Sequence, residues 1–191
     1  MKVKIIRARK KDAEAFQKVR LATWRNAYAH IFPEEVFKQQ EENLPEYIKN
    51  TPERFKKPNQ YYYVALVDDK VVGMLAVMQT SNYERYKSLG YADLEGIYIL
   101  PKYQNLGIGT KFFNLAIKTL LKNDATKMVI GVLKENHQAR AAYEKWGGVL
   151  DDYEQPFVKL EKNYAEVFYK FEPLSAFAKS NAQKSNSAKS K

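Results

Sequence analysis

The stretch from Asp93 to Lys111, D-L-E-G-I-Y-I-L-P-K-Y-Q-N-L-G-I-G-T-K, limits what this chain can fold into more than any other. Leu94 to Leu100 is rich in Ile, Leu and Tyr and reads as a strand, Pro101 stops it, and apolar residues return at helical spacing from Ile108. Between strand and helix, Gly107 and Gly109 place two residues without Cβ at the helix start. Backbone N–H groups can approach an anion there, under the positive end of the helix dipole. The stretch reads as a phosphate cradle. A P-loop is excluded because Gly109 is followed by Thr110-Lys111, and the dinucleotide fingerprint is excluded because Phe112 stands where a third small residue is required.

What remains, Q-x-x-G-x-G over Gln104 to Gly109, is followed by a second buried-strand pattern, Met128 to Leu133, and then by N-x-x-A-x-x-x-Y-x-x-x-G from Asn136 to Gly147. The two motifs, in this order and at this distance, resemble the GNAT superfamily of acyl-CoA N-acyltransferases. The resemblance covers about Lys2 to Phe171 and is specific between Asp93 and Gly148. It implies an α+β, three-layer fold with a central mixed, mostly antiparallel sheet of six to seven strands and helices on both faces. It also implies acetyl-CoA as acyl donor and an amine of a small molecule or peptide as acceptor. The pyrophosphate loop would be Gln104, Asn105, Leu106, Gly107, Ile108, Gly109, Thr110 and Lys111. Backbone groups of Ile97, Tyr98 and Ile99 would meet the pantetheine arm like an added strand, and Asn136, Arg140 and Tyr143 would complete the donor site.

Composition narrows the chemistry. A chain of 191 residues with 45% hydrophobic content suits one domain with a real core. There is no cysteine, so disulfides, thiolate metal sites and a thiol nucleophile are excluded, and two histidines, His30 and His137, do not make a zinc site by themselves. No metal is expected. No apolar run approaches the roughly 20 residues that span a bilayer, and Met1 to Ile6 is too short for a signal peptide, so the chain reads as cytoplasmic with no membrane partner. The net charge is +10, of which Leu174 to Lys191 carries +4 and the remainder 10 − 4 = +6. This fits binding of an anionic coenzyme, though a solvated basic surface explains it equally. A basic nucleic-acid-binding module is the rival of another class, and the absence of any nucleic-acid motif argues against it. An acyl-CoA sensor without turnover also stays open, as does a homodimer.

Along the chain, Val3 to Ala8 reads as a strand and Asp12 as the N-cap of a helix with Phe16, Val19, Thr23 and Ala27 on one stripe. Phe32-Pro33-Glu34-Glu35 restarts a helix, and Thr51-Pro52-Glu53 repeats that signature after a break at Pro45. In the resembling family these helices form one wall of the acceptor pocket, which would place Trp24, Tyr28 and His30 near the amine; core packing is the rival reading for Trp24 and Tyr28. Tyr61 to Val67 and Val71 to Gln79 form a hairpin around Asp68-Asp69-Lys70, with Gly73 at a bulge or close approach. Thr80 to Ala92 is a long tyrosine-rich connection, either a surface loop or an overhang on the acceptor site. Ile108 to Lys122 is an amphipathic helix, Asn136 caps the next, and Gly147-Gly148 ends it. Val149 to Tyr153 and Ala165 to Phe171 are the last strands, around a loop holding Pro156. The domain spans 1–172, and 173–191 is expected to be a disordered basic tail.

Acyl transfer from a thioester to an amine needs a neutral nucleophile, charge stabilisation at the carbonyl and a proton for the departing thiolate. Asp93 stands where many of the resembling sequences carry a glutamate base, and Glu95, two residues on, is its rival; both could be plain surface acids. Tyr143 matches the family tyrosine that protonates the sulfur, with core packing as the alternative. With no Cys and no Ser-His constellation, transfer is expected to be direct, within a ternary complex.

Overall fold

Asp68 and Asp69, at φ of 48° and 58°, form a two-residue turn that folds one β-rich run back on the next. The runs are β2, Gln60–Val67, and β3, Lys70–Met78, and they pair antiparallel in the sheet. The computed structural model describes residues 2–178. Around the hairpin lie β1 (Val3–Arg7), β4 (Ala92–Ile99), β5 (Met128–Leu133), β6 (Val149–Lys159) and β7 (Lys162–Phe171). The spatial order is β1-β2-β3-β4-β5-β7-β6. Every neighbouring pair is antiparallel except β4 and β5, which run parallel. This is the mixed sheet that the resemblance implies, with seven strands.

Alternation along the strands divides the core between two helical layers. Tyr62 and Val64 of β2 and Met74, Ala76 and Met78 of β3 pack against Phe16 and Val19 of α1 (Ala13–Tyr28). On that face also lie α2 (Glu34–Glu42), α3 (Leu44–Arg54) and a short α4 (Glu84–Ser88). On the opposite face Ala65, Val67, Leu75 and Val77 meet Phe112, Phe113, Ala116 and Leu120 of α5 (Ile108–Lys122), with α6 (His137–Lys145) beside it. Gly73 serves both expected roles: the pairing shifts register between Ala65 and Leu66 beside it, and a Cβ there would stand 3.0 Å from Phe112 Cε2. No helix among the described residues is long and apolar enough to cross a membrane.

Four expectations change. Thr51-Pro52 starts no helix; Pro45 sits in the first turn of α3, and Pro52 falls in its last turn, beside Thr51, whose hydroxyl donates to the Tyr47 carbonyl at 2.6 Å. The connection from Thr80 to Ala92 is not a surface loop, because α4 buries Tyr86 completely against Tyr91, Val129 and Phe168. The last two strands are longer than expected and turn at Leu160-Glu161, both at positive φ. Pro156 lies within β6, tolerated because β6 is the sheet's edge and its missing N–H removes no ladder bond. The ordered chain also continues past 172: residues 174–178 are helical, Leu174 is fully buried, and Phe177 packs on Phe113 and Phe171. The rest of the expected tail, 179–191, lies outside the described residues.

Candidate active site

The sheet opens where its two parallel strands meet. β4 pairs with β5 only at Ala92↔Met128 and Asp93↔Val129, so from Leu94 onward the strands diverge and expose backbone edges. A bulge on β4 contributes to the opening, since the three steps from Asp93 to Gly96 are matched by two on β3, Met78 to Ala76. Bulges of this kind bend a strand and re-aim its side chains. The resulting cleft, about 410 Å³, is walled by Glu95 to Ile99 of β4, Ile130 and Gly131 of β5, Thr23, Ala27 and Tyr28 of α1, the turn before α5, and α6.

Gly107 caps α5 in the left-handed region, φ 77°, with open space where its Cβ would be. Gly109 lies one residue into the helix, and a Cβ there would contact Trp146 Cζ2 at 3.4 Å and Ile99 Cδ1 at 3.6 Å. Gln104, Asn105, Gly107, Gly109 and Thr110 line the cleft. The Gln104 side chain donates to the Ile99 carbonyl at 3.0 Å and accepts from Gln138 of α6 at 3.2 Å, tying the two walls together. Three of the expected loop residues point elsewhere. Leu106, in the turn before α5, is half exposed, while Ile108, a core residue at 1%, and Lys111, which faces solvent, are turned off the cleft side by helical geometry. Gly109→Val is therefore expected to lower donor affinity by tenfold or more in calorimetry while the protein stays folded, since the valine must displace Trp146 from the cleft wall. Unchanged affinity in a folded variant would remove this turn from the donor site.

Asn136 caps α6 as expected, its Oδ1 accepting from Ala139 N at 3.1 Å, and it lines the cleft. Arg140 does not line it. Its Nη1 donates to the Lys134 carbonyl at 2.9 Å and its Nε to the Tyr169 hydroxyl at 3.1 Å, so the guanidinium braces β5 to β7. Tyr143 lies on the cleft side of α6, between Trp146 and Tyr169, with ring centroids at 5.9 and 5.7 Å. Burial, with the Tyr28, Tyr98 and Tyr169 hydroxyls nearby, holds its hydroxyl well above the ordinary tyrosine value, so it carries its proton throughout the neutral range. Tyr28 and Tyr98 line the same cleft, and burial raises both of their hydroxyls too. Of the three residues expected at the acceptor, only Tyr28 reaches the cleft. Trp24 is packed among Tyr28, Phe32 and Phe37, and His30 is exposed in the turn after α1.

The two carboxylates part company. Asp93 is 1% exposed; its Oδ2 accepts from Asn82 N at 3.0 Å and from Ser81 Oγ at 3.4 Å, and its Oδ1 has no partner among the described residues. It lies behind the cleft, under the connection that carries α4. Glu95 lines the cleft, at the bulge, and is held by Arg54 at 2.8 Å. Burial pushes the Asp93 carboxyl up to about 7, against the pull of the Asn82 N–H. A folded-state value above the unfolded one of about 3.9 means that the fold favours the protonated acid. Stability should therefore be full below pH 4 and fall, by roughly 1–4 kcal/mol, as pH rises through 7. Asp93→Asn removes this dependence: its melting temperature relative to wild type should be higher at pH 8 than at pH 5. A difference that is constant across that range would contradict it.

Sequence reading missed Thr23, Gln138 and Trp146 on the cleft wall, and Arg54 behind Glu95. Thr23 was legible only as a stripe residue of its helix. Trp146 and Arg54 carry no local signal, because each reaches the site only through tertiary packing.

Helices on both faces of a mixed sheet split between two parallel strands, with a glycine-led helix start beside the split, define the architecture of the chain. A sequence model of the Acetyltransferase (GNAT) family matches residues 21–148, and the chain belongs to that family. Similar folds occur in the PaiA N-acetyltransferase of Thermoplasma acidophilum in complex with coenzyme A (19% identity, 90% of this chain and 99% of that one, TM-score 0.65). The ribosomal-protein-S18-alanine N-acetyltransferase of Escherichia coli is also similar (16% identity, 90% and 94%, TM-score 0.64). So is an acetyltransferase of the GNAT family from Streptococcus pneumoniae (20% identity, 90% and 99%, TM-score 0.59). At these identities the likeness concerns the fold.

Proposed function

We propose that the protein is an acetyl-CoA-dependent N-acetyltransferase that acetylates a primary amine by direct attack within a ternary complex. The observation that carries this reading is the split between β4 and β5, which leaves the Ile97 to Ile99 edge of β4 without a partner strand on the β5 side, along a cleft that begins at the start of α5. The glycine-led N-terminus of α5 would take the pyrophosphate, and the free edge of β4 the pantetheine amides. Coenzyme A in the Thermoplasma structure supports the choice of donor.

In this reading the acetyl thioester lies at the β4 bulge, where backbone N–H groups face the developing oxyanion. An amine of pKa near 10.4 is neutral in only about one molecule in 10³ at pH 7, so the site must take up a proton. Glu95, on the cleft, fills that role better than the buried Asp93. Glu95 first takes the ammonium proton and passes it to solvent; the neutral amine nitrogen then bonds to the carbonyl carbon and gives a second proton to Glu95, the C–S bond breaks, and the sulfur takes a proton from Tyr143. Exchange with solvent returns the Glu95 proton to Tyr143, leaving amide and free thiol. The direct test follows free thiol from acetyl-CoA across an amine panel. Saturable acetyl-CoA binding with no amine-dependent thiol would favour a sensor instead.

A further inference from the structure

A second cavity, of about 330 Å³, lies on the α1 face of the sheet beneath α1, α2 and α3, and shares Glu95, Gly96 and Tyr98 with the cleft. That volume is at the low end of the roughly 300–1,000 Å³ of small-molecule sites. Its charged lining is three cations, Arg20, Arg54 and Lys159, against one carboxylate, Glu95. Arg54 is neutralised by Glu95 at 2.8 Å. Arg20 has no carboxylate partner among the described residues; its Nε donates to Gln17 Oε1 at 2.7 Å and its guanidinium lies 5.0 Å over the Tyr47 ring, so it is held in place with donors unused. Lys159, at the tip of the β6–β7 hairpin, has no acidic partner among the described residues either. Gln40 is 7% exposed, lines the same cavity, and its carboxamide hydrogen-bonds to nothing among the described residues. An amide with no protein partner at a cavity wall is open to a ligand's hydrogen bond, and a positioned guanidinium with free donors is suited to a carboxylate or phosphate.

We propose that this cavity is the acceptor site and that the acceptor is an amine bearing its own anionic group, with a carboxylate or phosphate held by Arg20, Gln40 and Lys159 and the amine facing Glu95. The inference rests on the acetyl-transfer reading and adds a substrate class to it. The anion offsets the two uncompensated cations and can accept from the Gln40 amide, while the opening at Glu95, Gly96 and Tyr98 brings the amine to the thioester. A polycationic amine would meet Arg20 and Lys159 as like charges.

The test pairs each anionic amine with a partner lacking the anion: α-amino acids against their carboxamides, phosphoethanolamine against ethanolamine, with spermidine as the polycation. Thiol release is followed with the full chain at saturating acetyl-CoA. A kcat/KM at least tenfold higher for the anionic member is expected, and the pair showing it separates carboxylate from phosphate. Arg20→Gln should raise KM for that member by tenfold or more, with kcat and acetyl-CoA affinity within a few-fold, and Lys159→Gln should raise it less. Arg20→Lys, which keeps charge but loses the planar fork, should fall between. Equal or better turnover of the carboxamides, ethanolamine or spermidine would overturn the inference and leave acetyl transfer standing. If no amine releases thiol, the acetyl-transfer reading fails instead. Thermal stabilisation by the same anionic amines, lost in Arg20→Gln, would then keep the cavity assignment, and no stabilisation would overturn it.

Discussion

Tyr143→Phe is expected to lower turnover by about 10² to 10⁴ while leaving acetyl-CoA affinity and melting temperature near wild type. The substitution keeps the ring that packs between Trp146 and Tyr169 and removes only the hydroxyl. Among the described residues that hydroxyl has no hydrogen-bond partner to lose, and burial keeps it protonated, the state in which it can serve a departing thiolate. A tyrosine present for packing alone would behave in the opposite way, with full activity in Tyr143→Phe and a marked loss of stability in Tyr143→Ala. Measuring thiol release, donor affinity and melting temperature on both variants separates the two. A fully active Tyr143→Phe ends the catalytic assignment.

Glu95→Gln should depress turnover near pH 7 by a similar factor, and the defect should shrink as pH rises and a growing share of the amine is neutral without help. Loss of the pair with Arg54 adds little to stability effects, because both side chains are about a third or more exposed, 41% and 32%. Asp93→Asn is the comparison. Since Asp93 lies behind the cleft, that variant should stay within a few-fold of wild type in rate while showing the altered pH dependence of stability argued above. A pH–rate profile crippled by Asp93→Asn and untouched by Glu95→Gln would return the base to Asp93, acting through water.

These two carboxylates also mark how far local pattern reaches. Along an ideal strand Asp93 and Glu95 face the same way, and counting back from the glycine turn favours Asp93. The bulge between Asp93 and Gly96, together with the packing of Ser81 and Asn82, in the connection before α4, over Asp93, leaves one acid buried and the other at the opening. Neither effect is encoded within a few residues of the pair. The same holds for Arg140, which looked like a donor-site residue from its place in the motif. It is taken up by the Lys134 carbonyl and Tyr169, partners that only the β5–β7 pairing brings near.

What the sequence determined by itself is the part governed by short-range chemistry: the Asp-Asp turn between β2 and β3, the Gly107 start of α5, the Asn136 cap of α6, and the order of motifs that carries the family. The turn, the helix start and the cap each depend on a backbone angle or hydrogen bond within about four residues, so residue type and spacing suffice. Tertiary structure alone decided which of those motif residues face the cleft, that Trp146 closes over Gly109, and that Arg20, Gln40 and Lys159, from three distant segments, line one cavity beside Glu95. Those meetings follow from the burial of two opposite faces of one sheet, and the pattern of apolar residues states that the faces are buried without stating what is buried against what.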